Sequence, residues 1–179
     1  MKNLKYILRI SLTLLIIAAS MAAALAAVNQ FTAPRIAKFQ AEKTQEAVNL
    51  VLPGGGEEIP FTDATGLVST VYASEAGYAV EVQPMGFDNT ITMMVGIDNA
   101  GHILGIQVIS HTETAGLGAV AAADNSAGQA FRDQFIALSG TLAVTKDGGT
   151  IDSITGATIT SRAICNGVNA ALACVKALG

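Results

Sequence analysis

The run Asp152-Ser153-Ile154-Thr155-Gly156-Ala157-Thr158-Ile159-Thr160-Ser161 concentrates the groups in this chain most able to do chemistry. Hydroxyls crowd around two small residues just where a helical pattern begins. Gly156 and Ala157 leave room for something bulky to approach the backbone. The free N–H groups and positive dipole end of the following helix favour a phosphate. Thr and Ser at that point also serve as helix caps. A capped helix with no ligand therefore explains the composition about as well as an anion site does.

A second run, His111-Thr112-Glu113-Thr114-Ala115-Gly116-Leu117-Gly118, sets a carboxylate in a glycine-bearing loop after an expected strand. A lone Gly-x-Gly is weak evidence, and a Glu beside such a loop is ordinarily solvated. His111 has no second His nearby and no Cys or carboxylate at ligand spacing, which argues against a metal site. A third run, Gly86-Phe87-Asp88-Asn89-Thr90-Ile91, reads as a turn leading into Met93-Met94-Val95-Gly96-Ile97-Asp98. The sequence offers no nucleophile–base pair and no dinucleotide-binding fingerprint, so bond-making chemistry on a substrate is not indicated.

The elements that must position these runs are mostly strands. Residues 67–74 alternate apolar and polar and turn through Glu75-Ala76-Gly77 into 78–83. Residues 90–97 and 103–110 flank Asp98-Asn99-Ala100-Gly101, a hairpin signal. Residues 127–138 read as a helix with Phe131 and Phe135 one turn apart, and 142–145 as a short strand before the turn Asp147-Gly148-Gly149. The last element, 160–178, is a helix with Ile164, Val168, Leu172 and Val175 on one face. Cys165 and Cys174, nine residues apart on it, point to opposite faces about 13 Å apart along the axis and cannot bridge each other. They read as small buried apolar side chains. The expected fold is α+β, one exported domain with a largely antiparallel sheet packed by helices.

The N-terminal third has a different character. Residues 10–28 carry no charge, about 28 Å of helix and close to one bilayer core. Lys2, Lys5 and Arg9 precede them, which keeps residues 1–9 in the cytoplasm and sends the chain beyond Val28 outside. Ala24-Leu25-Ala26 would also serve as a cleavage site, so a removed signal peptide competes with an uncleaved anchor. Residues 29–56 read as a helical stalk with a loose stripe of Phe31, Phe39, Ala47 and Val51. Pro34 allows a bend there, and Pro53-Gly54-Gly55-Gly56 ends the helix. The domain proper is then 57–179. Removing the three leading cations from the net charge of −4 leaves −7 for the remainder. That balance, with 5% aromatic residues and no Trp, argues against nucleic acid and against an anionic lipid surface.

Asp-x-x-Thr-Gly-Ala-Thr followed by Ile-Thr-Ser resembles the flavinylation motif of FMN-binding subunits in ion-pumping redox complexes. These are the G and D subunits of the Rnf complex and the B and C subunits of the sodium-translocating NADH:quinone reductase. The 111–118 run resembles the same family's His-x-Glu-Thr-Pro-Gly-Leu-Gly signature, with Ala115 in place of Pro. The 86–91 run resembles its Gly-aromatic-x-Gly-x-Ile turn. There Asn89 stands for the second Gly and is expected to tolerate positive φ. With Lys146-Asp147-Gly148-Gly149, the likeness runs in order through 86–161, and the short chain with one anchor is most similar to the Rnf G subunit.

The resemblance implies FMN joined through its phosphate to the hydroxyl of Thr158, with Thr155, Gly156, Ala157, Thr160, Ser161 and Lys146 around it. Glu113, Thr114, Gly116, Leu117 and Gly118 would line the flavin pocket. A flavin transferase using FAD and Mg²⁺ would read Asp152, Thr155, Gly156 and Ala157. The implied role is an electron relay in a membrane complex that couples ferredoxin/NAD-type electron flow to Na⁺ or H⁺ movement. Its partners would be the other subunits of that complex. Two rivals stay open: the C subunit of the sodium-translocating reductase or an extracellular flavin electron carrier, and a non-redox exported binding domain. If the anchor is retained, N-terminal sequencing of the mature protein will read from the original N-terminus; a chain beginning at Ala27 would refute it.

Overall fold

The computed structural model describes residues 2–179, with side-chain surroundings from Lys5 onward. Helix α1 spans Lys2–Val51, and Pro34 falls inside it. The expected separation into an anchor and a stalk with a bend at Pro34 is therefore not seen as a break in helical structure. From Lys5 to Val51 the helix is long and apolar enough to cross a membrane, with a mean hydropathy of 2.3 over the qualifying window and none of that window buried. Two compact units emerge, residues 1–42 and 43–179.

Within the second unit, strands β1 (Glu57–Ile59), β2 (Val68–Ser74), β3 (Gly77–Val82), β4 (Thr92–Asp98) and β5 (Ile103–Ser110) form one antiparallel meander in sequence order. The four longer strands fall within a residue or two of expectation; β1, next to the Pro-Gly run, was not anticipated. The β4–β5 hairpin closes on Gly101 in the left-handed region (φ 84°), with Asp98 Oδ1 accepting from the Ala100 and His102 amides. Those bonds, the His102 amide first, hold the Asp98 carboxyl below its usual range.

Strands β3 and β4 are buried almost along their whole length because the sheet is covered on both faces. On one face, α3 (Thr158–Leu178) packs Ile164, Val168 and Val175 against Val80, Val82, Met93, Val95 and Ile97. Both free cysteines lie in this core, and burial pushes the Cys165 thiol up to about 11. On the other face lie Ala47, Val48, Val51 and Leu52, with Ala79 and Met94 beneath them. The expected boundary at residue 57 is thus too late: the last turns of the stalk belong to the domain core. Of the expected stripe, Ala47 and Val51 are buried while Phe31 and Phe39 are exposed.

Small residues permit this second contact. Ala79, Gly96 and Gly105 are aligned across β3, β4 and β5. A Cβ on Gly96 would collide with the Val51 carbonyl oxygen, whereas one on Gly105 would meet only Val51 Cγ1 at 4.0 Å.

The connection from β5 to α3 is mostly irregular. A short 3-10 turn (Gly118–Ala122) is followed by α2 (Ser126–Asp133), which ends earlier than the expected 127–138 helix. Phe131 and Phe135 meet edge to face with centroids 5.6 Å apart. The expected strand at 142–145 is reduced to one parallel bridge between Val144 and Ile151. Asn169 of α3 takes the place of a strand partner: its side chain accepts from the Leu142 amide and donates to the Leu142 carbonyl, both at 2.8 Å.

Gly96→Ala is expected to cost about 1–3 kcal/mol in denaturant unfolding followed by circular dichroism, because the helix end must shift to admit the methyl group. Gly105→Ala should stay within about 0.5 kcal/mol of the parent. Equal effects of the two substitutions would contradict the close approach of Val51 to Gly96.

Candidate functional site

The three chemistry-bearing runs converge at the N-terminus of α3, and one side chain joins them. Glu113 is only 7% exposed. Its Oε1 accepts from the amides of Phe87 (2.8 Å) and Asp88 (3.2 Å), and its Oε2 accepts from the Thr160 hydroxyl. The 86–89 turn, the 111–118 loop and the first turn of α3 are thereby tied to one carboxylate. Two glycines make room for it. A Cβ on Gly86 would strike Glu113 Oε1, and one on Gly118 would lie 2.5 Å from both Glu113 Oε2 and Thr160 Oγ1. Glu113, which the resemblance placed in the pocket lining, is a buried tie and not a solvated carboxylate, and Gly118 serves that tie as well as the cleft wall. His111 is structural, its Nδ1 accepting from the Glu113 amide at 3.2 Å.

Local chain geometry is set by a few residues. Gly116 (φ 75°) and Gly156 (φ 77°) take left-handed conformations that an L side chain resists. The Leu117 and Ala119 amides both donate to the Thr114 carbonyl at 3.2 Å, which closes the loop on itself. Asn89 does not adopt positive φ; its side chain accepts from the Thr90 amide at 2.8 Å. That bond orders the turn without the second glycine.

Helix α3 starts at Thr158 with Ala157 as its N-cap, and no side chain caps it. This contrasts with α2, where Asn125 accepts from the Gly128 amide at 2.9 Å. Ala157 has no side-chain acceptor to offer, and the hydroxyls of the first turn are used otherwise. Thr160 is bound to Glu113, while Ser161 donates to the Ala157 carbonyl and accepts from the Ile154 amide, both at 3.0 Å. The capped-helix explanation of this segment therefore loses its premise, and the positive end of a 21-residue helix stays open to an anion.

A cation stands beside that end. Lys146 Nζ donates to Thr158 Oγ1 at 2.9 Å. The short turn Thr145–Asp147 carries Lys146, and Arg162 braces it through a two-point ion pair with Asp147, both contacts at 2.6 Å. The Arg162 hydrogen bonds hold the Asp147 carboxyl below its ordinary range and raise the Arg162 guanidinium in turn.

Thr158 and Lys146 open onto a cleft of about 290 Å³, near the lower end of the usual range for small-molecule sites. Of the residues the resemblance singles out, Glu113, Thr114, Leu117, Gly118, Gly156, Ala157 and Thr160 also line it, and so do Phe87 and Ile159, which it did not single out. Phe87 (66% exposed), Leu117 (43%) and Ile159 (49%) give the cleft apolar walls facing solvent. The available signal was the aromatic residue after Gly86 and the apolar residue next to Thr158. Thr155, Gly116, Ser161 and Asp152 do not line the cleft. The Asp152 and Thr155 side chains are exposed and have no partner among the described residues. A phosphate suits the Lys146 and α3 end of this arrangement, and a flat heteroaromatic ring suits the apolar end, so the residues present fit FMN.

An antiparallel sheet holding an anion-receptive helix end over an apolar cleft, preceded in the sequence by a helix able to span a bilayer, defines a membrane-anchored flavin-binding protein. The profile of the FMN-binding domain matches residues 86–173, and that of the RnfG N-terminal region matches residues 1–51. The G subunit of the ion-translocating oxidoreductase complex of Methanosarcina acetivorans is 32% identical, covering 99% of this chain and 98% of that protein. The G subunit of the Na(+)-translocating ferredoxin:NAD(+) oxidoreductase complex of Acetobacterium woodii is 32% identical over 92% of this chain and 89% of that protein. The G subunit of the proton-translocating ferredoxin:NAD(+) oxidoreductase complex of Clostridium ljungdahlii is 31% identical over 83% and 80%. The chain belongs to the G-subunit family of ion-translocating oxidoreductase complexes.

Glu113→Gln replaces one acceptor oxygen by an NH₂ group and is expected to cost about 1–3 kcal/mol of unfolding free energy. Thr160→Val, which removes one donor to the same carboxylate, should fall in the same range. Denaturant titration decides; a Glu113→Gln domain as stable as the parent would mean that the carboxylate does not tie the three segments.

Proposed function

We propose that this protein carries FMN phosphoester-linked to Thr158 and relays electrons within a membrane complex whose electron flow is coupled to Na⁺ or H⁺ translocation. The observation that carries the reading is the uncapped start of α3, where the Thr158 hydroxyl meets Lys146 at the lip of the apolar cleft. When bound, the flavin supplies the one- and two-electron chemistry. The chain's own residues bind and orient. Lys146 and the α3 amides would hold the phosphate, Phe87, Leu117 and Ile159 would offer the ring its apolar surface, and Glu113 keeps the walls in register. Relatives bear names that specify Na⁺ in one case and a proton in another, together with ferredoxin and NAD⁺. These names support the redox system and leave either ion as the coupling ion.

Attachment would be made by a flavin transferase acting on FAD with Mg²⁺. Thr158 Oγ1 gains a bond to the FMN-side phosphorus, the pyrophosphate bridge breaks, AMP leaves, and the hydroxyl proton passes to a base on the transferase. Residues 1–9 would be cytoplasmic and the flavin domain would lie on the outer side, the arrangement favoured by Lys2, Lys5 and Arg9. A covalent bond prevents loss of the cofactor there. No acid or base lies between Ile10 and Val28, so the anchor itself offers no ion path.

Thr158→Ala is expected to abolish in-gel flavin fluorescence after co-expression with the transferase, with an unchanged circular dichroism spectrum. Undiminished fluorescence would move the attachment to another hydroxyl, Thr160 or Thr155 first. Asp152→Ala should lower the yield and leave folding intact.

A further inference from the structure

Asp152 is held by a residue far from its own segment. The Gln134 side chain accepts from the Asp152 amide at 2.7 Å and donates to the Asp152 carbonyl at 3.3 Å, as a neighbouring strand would. Gln134 is itself fixed at the C-cap of α2, between buried Phe131 and fully buried Phe135. Further along, Ser161 holds the Ile154 amide, and the Ala157 amide closes a turn onto the Ile154 carbonyl at 2.9 Å. The backbone of the 152–157 segment is therefore tied at both ends. Its outward groups, the Asp152 carboxylate and the Thr155 hydroxyl, are exposed and without a partner among the described residues.

We propose that Gln134 is a positioning residue for the modifying enzyme: it holds the Asp152 backbone so that the carboxylate and the Thr155 hydroxyl form a pre-ordered edge for the FAD-dependent flavin transferase. This rests on the reading of Thr158 as the attachment point. Gln134 touches neither Thr158 nor the cleft, so it acts on recognition and not on the transfer step. An ordered edge spares the transferase the entropy of fixing that segment on binding. The gain belongs in the concentration of acceptor protein needed, not in the rate once it is bound.

The test is the initial rate of covalent flavin incorporation into the purified full-length chain, in detergent with FAD, Mg²⁺ and transferase, as acceptor concentration varies. Gln134→Ala should raise the half-saturating acceptor concentration about 5- to 10-fold and leave the maximal rate unchanged. Gln134→Glu keeps the acceptor for the Asp152 amide but sets a carboxylate oxygen against the Asp152 carbonyl, and should match Gln134→Ala. Ile106→Val controls for loss of stability, and its half-saturation should stay at the parent value. Parent-like half-saturation in Gln134→Ala, a fall in maximal rate alone, or an equal rise in Ile106→Val would overturn the role given to Gln134. Failure of the parent chain to incorporate flavin, or labelling of Thr158→Ala, would instead sink the attachment reading.

Discussion

A buried carboxylate is costly unless every oxygen finds donors, and the site of this protein is organised around meeting that demand for Glu113. Two backbone amides from one turn and a hydroxyl from α3 satisfy it. Those donors lie 25 to 47 residues from Glu113 in the sequence. The carboxylate thus converts a need for hydrogen bonds into a fixed spacing between the Phe87 turn, the Leu117 loop and the Thr158 helix end. Gly86 and Gly118 are part of the same constraint, since a methyl group at either would occupy the space the carboxylate needs.

With the walls so fixed, the chemistry rests on what α3 leaves undone. Its N-terminus lacks a side-chain cap because Ala157 stands at the N-cap, and the Thr160 and Ser161 hydroxyls are committed elsewhere. The unmet amides and Lys146 together make a place that favours an anion. Burial of α3 against the sheet keeps that end from moving to find another partner, and burial of Val48, Val51 and Leu52 against the opposite face makes the sheet a rigid support. Anchor and domain are therefore joined through a helix whose last turns are core.

Much of this was legible from residue order. Alternation marked β2, the Glu-Ala-Gly turn led from it into β3, and Asp-Asn-Ala-Gly marked the β4–β5 hairpin. Periodicity marked α3, and the Gly-Ala-Thr run marked the start of that helix where the cleft opens. What escaped has common physical causes. The role of Glu113 depends on donors up to 47 residues away, which local pattern cannot reveal. Docking of the α1 end depends on the absence of a side chain at Gly96, and absence leaves no hydrophobic signal. Asn169 and Gln134 imitate strand partners through side-chain amides, so the segments they hold carry no strand pattern of their own. Phe87 and Ile159 read as ordinary apolar residues until the fold leaves them facing solvent across one cleft.

The central claim is a bond between one oxygen and phosphorus, and peptide mass spectrometry addresses it without perturbing the protein. Trypsin cuts after Lys146 and Arg162, releasing residues 147–162 with all the segment's hydroxyls on one peptide. After co-expression with a flavin transferase, that peptide should carry the mass of FMN less one water, with fragment ions placing it on Thr158. An unmodified peptide from a fully matured complex, or fragment ions placing the flavin on Thr155, Thr160 or Ser161, would contradict the account.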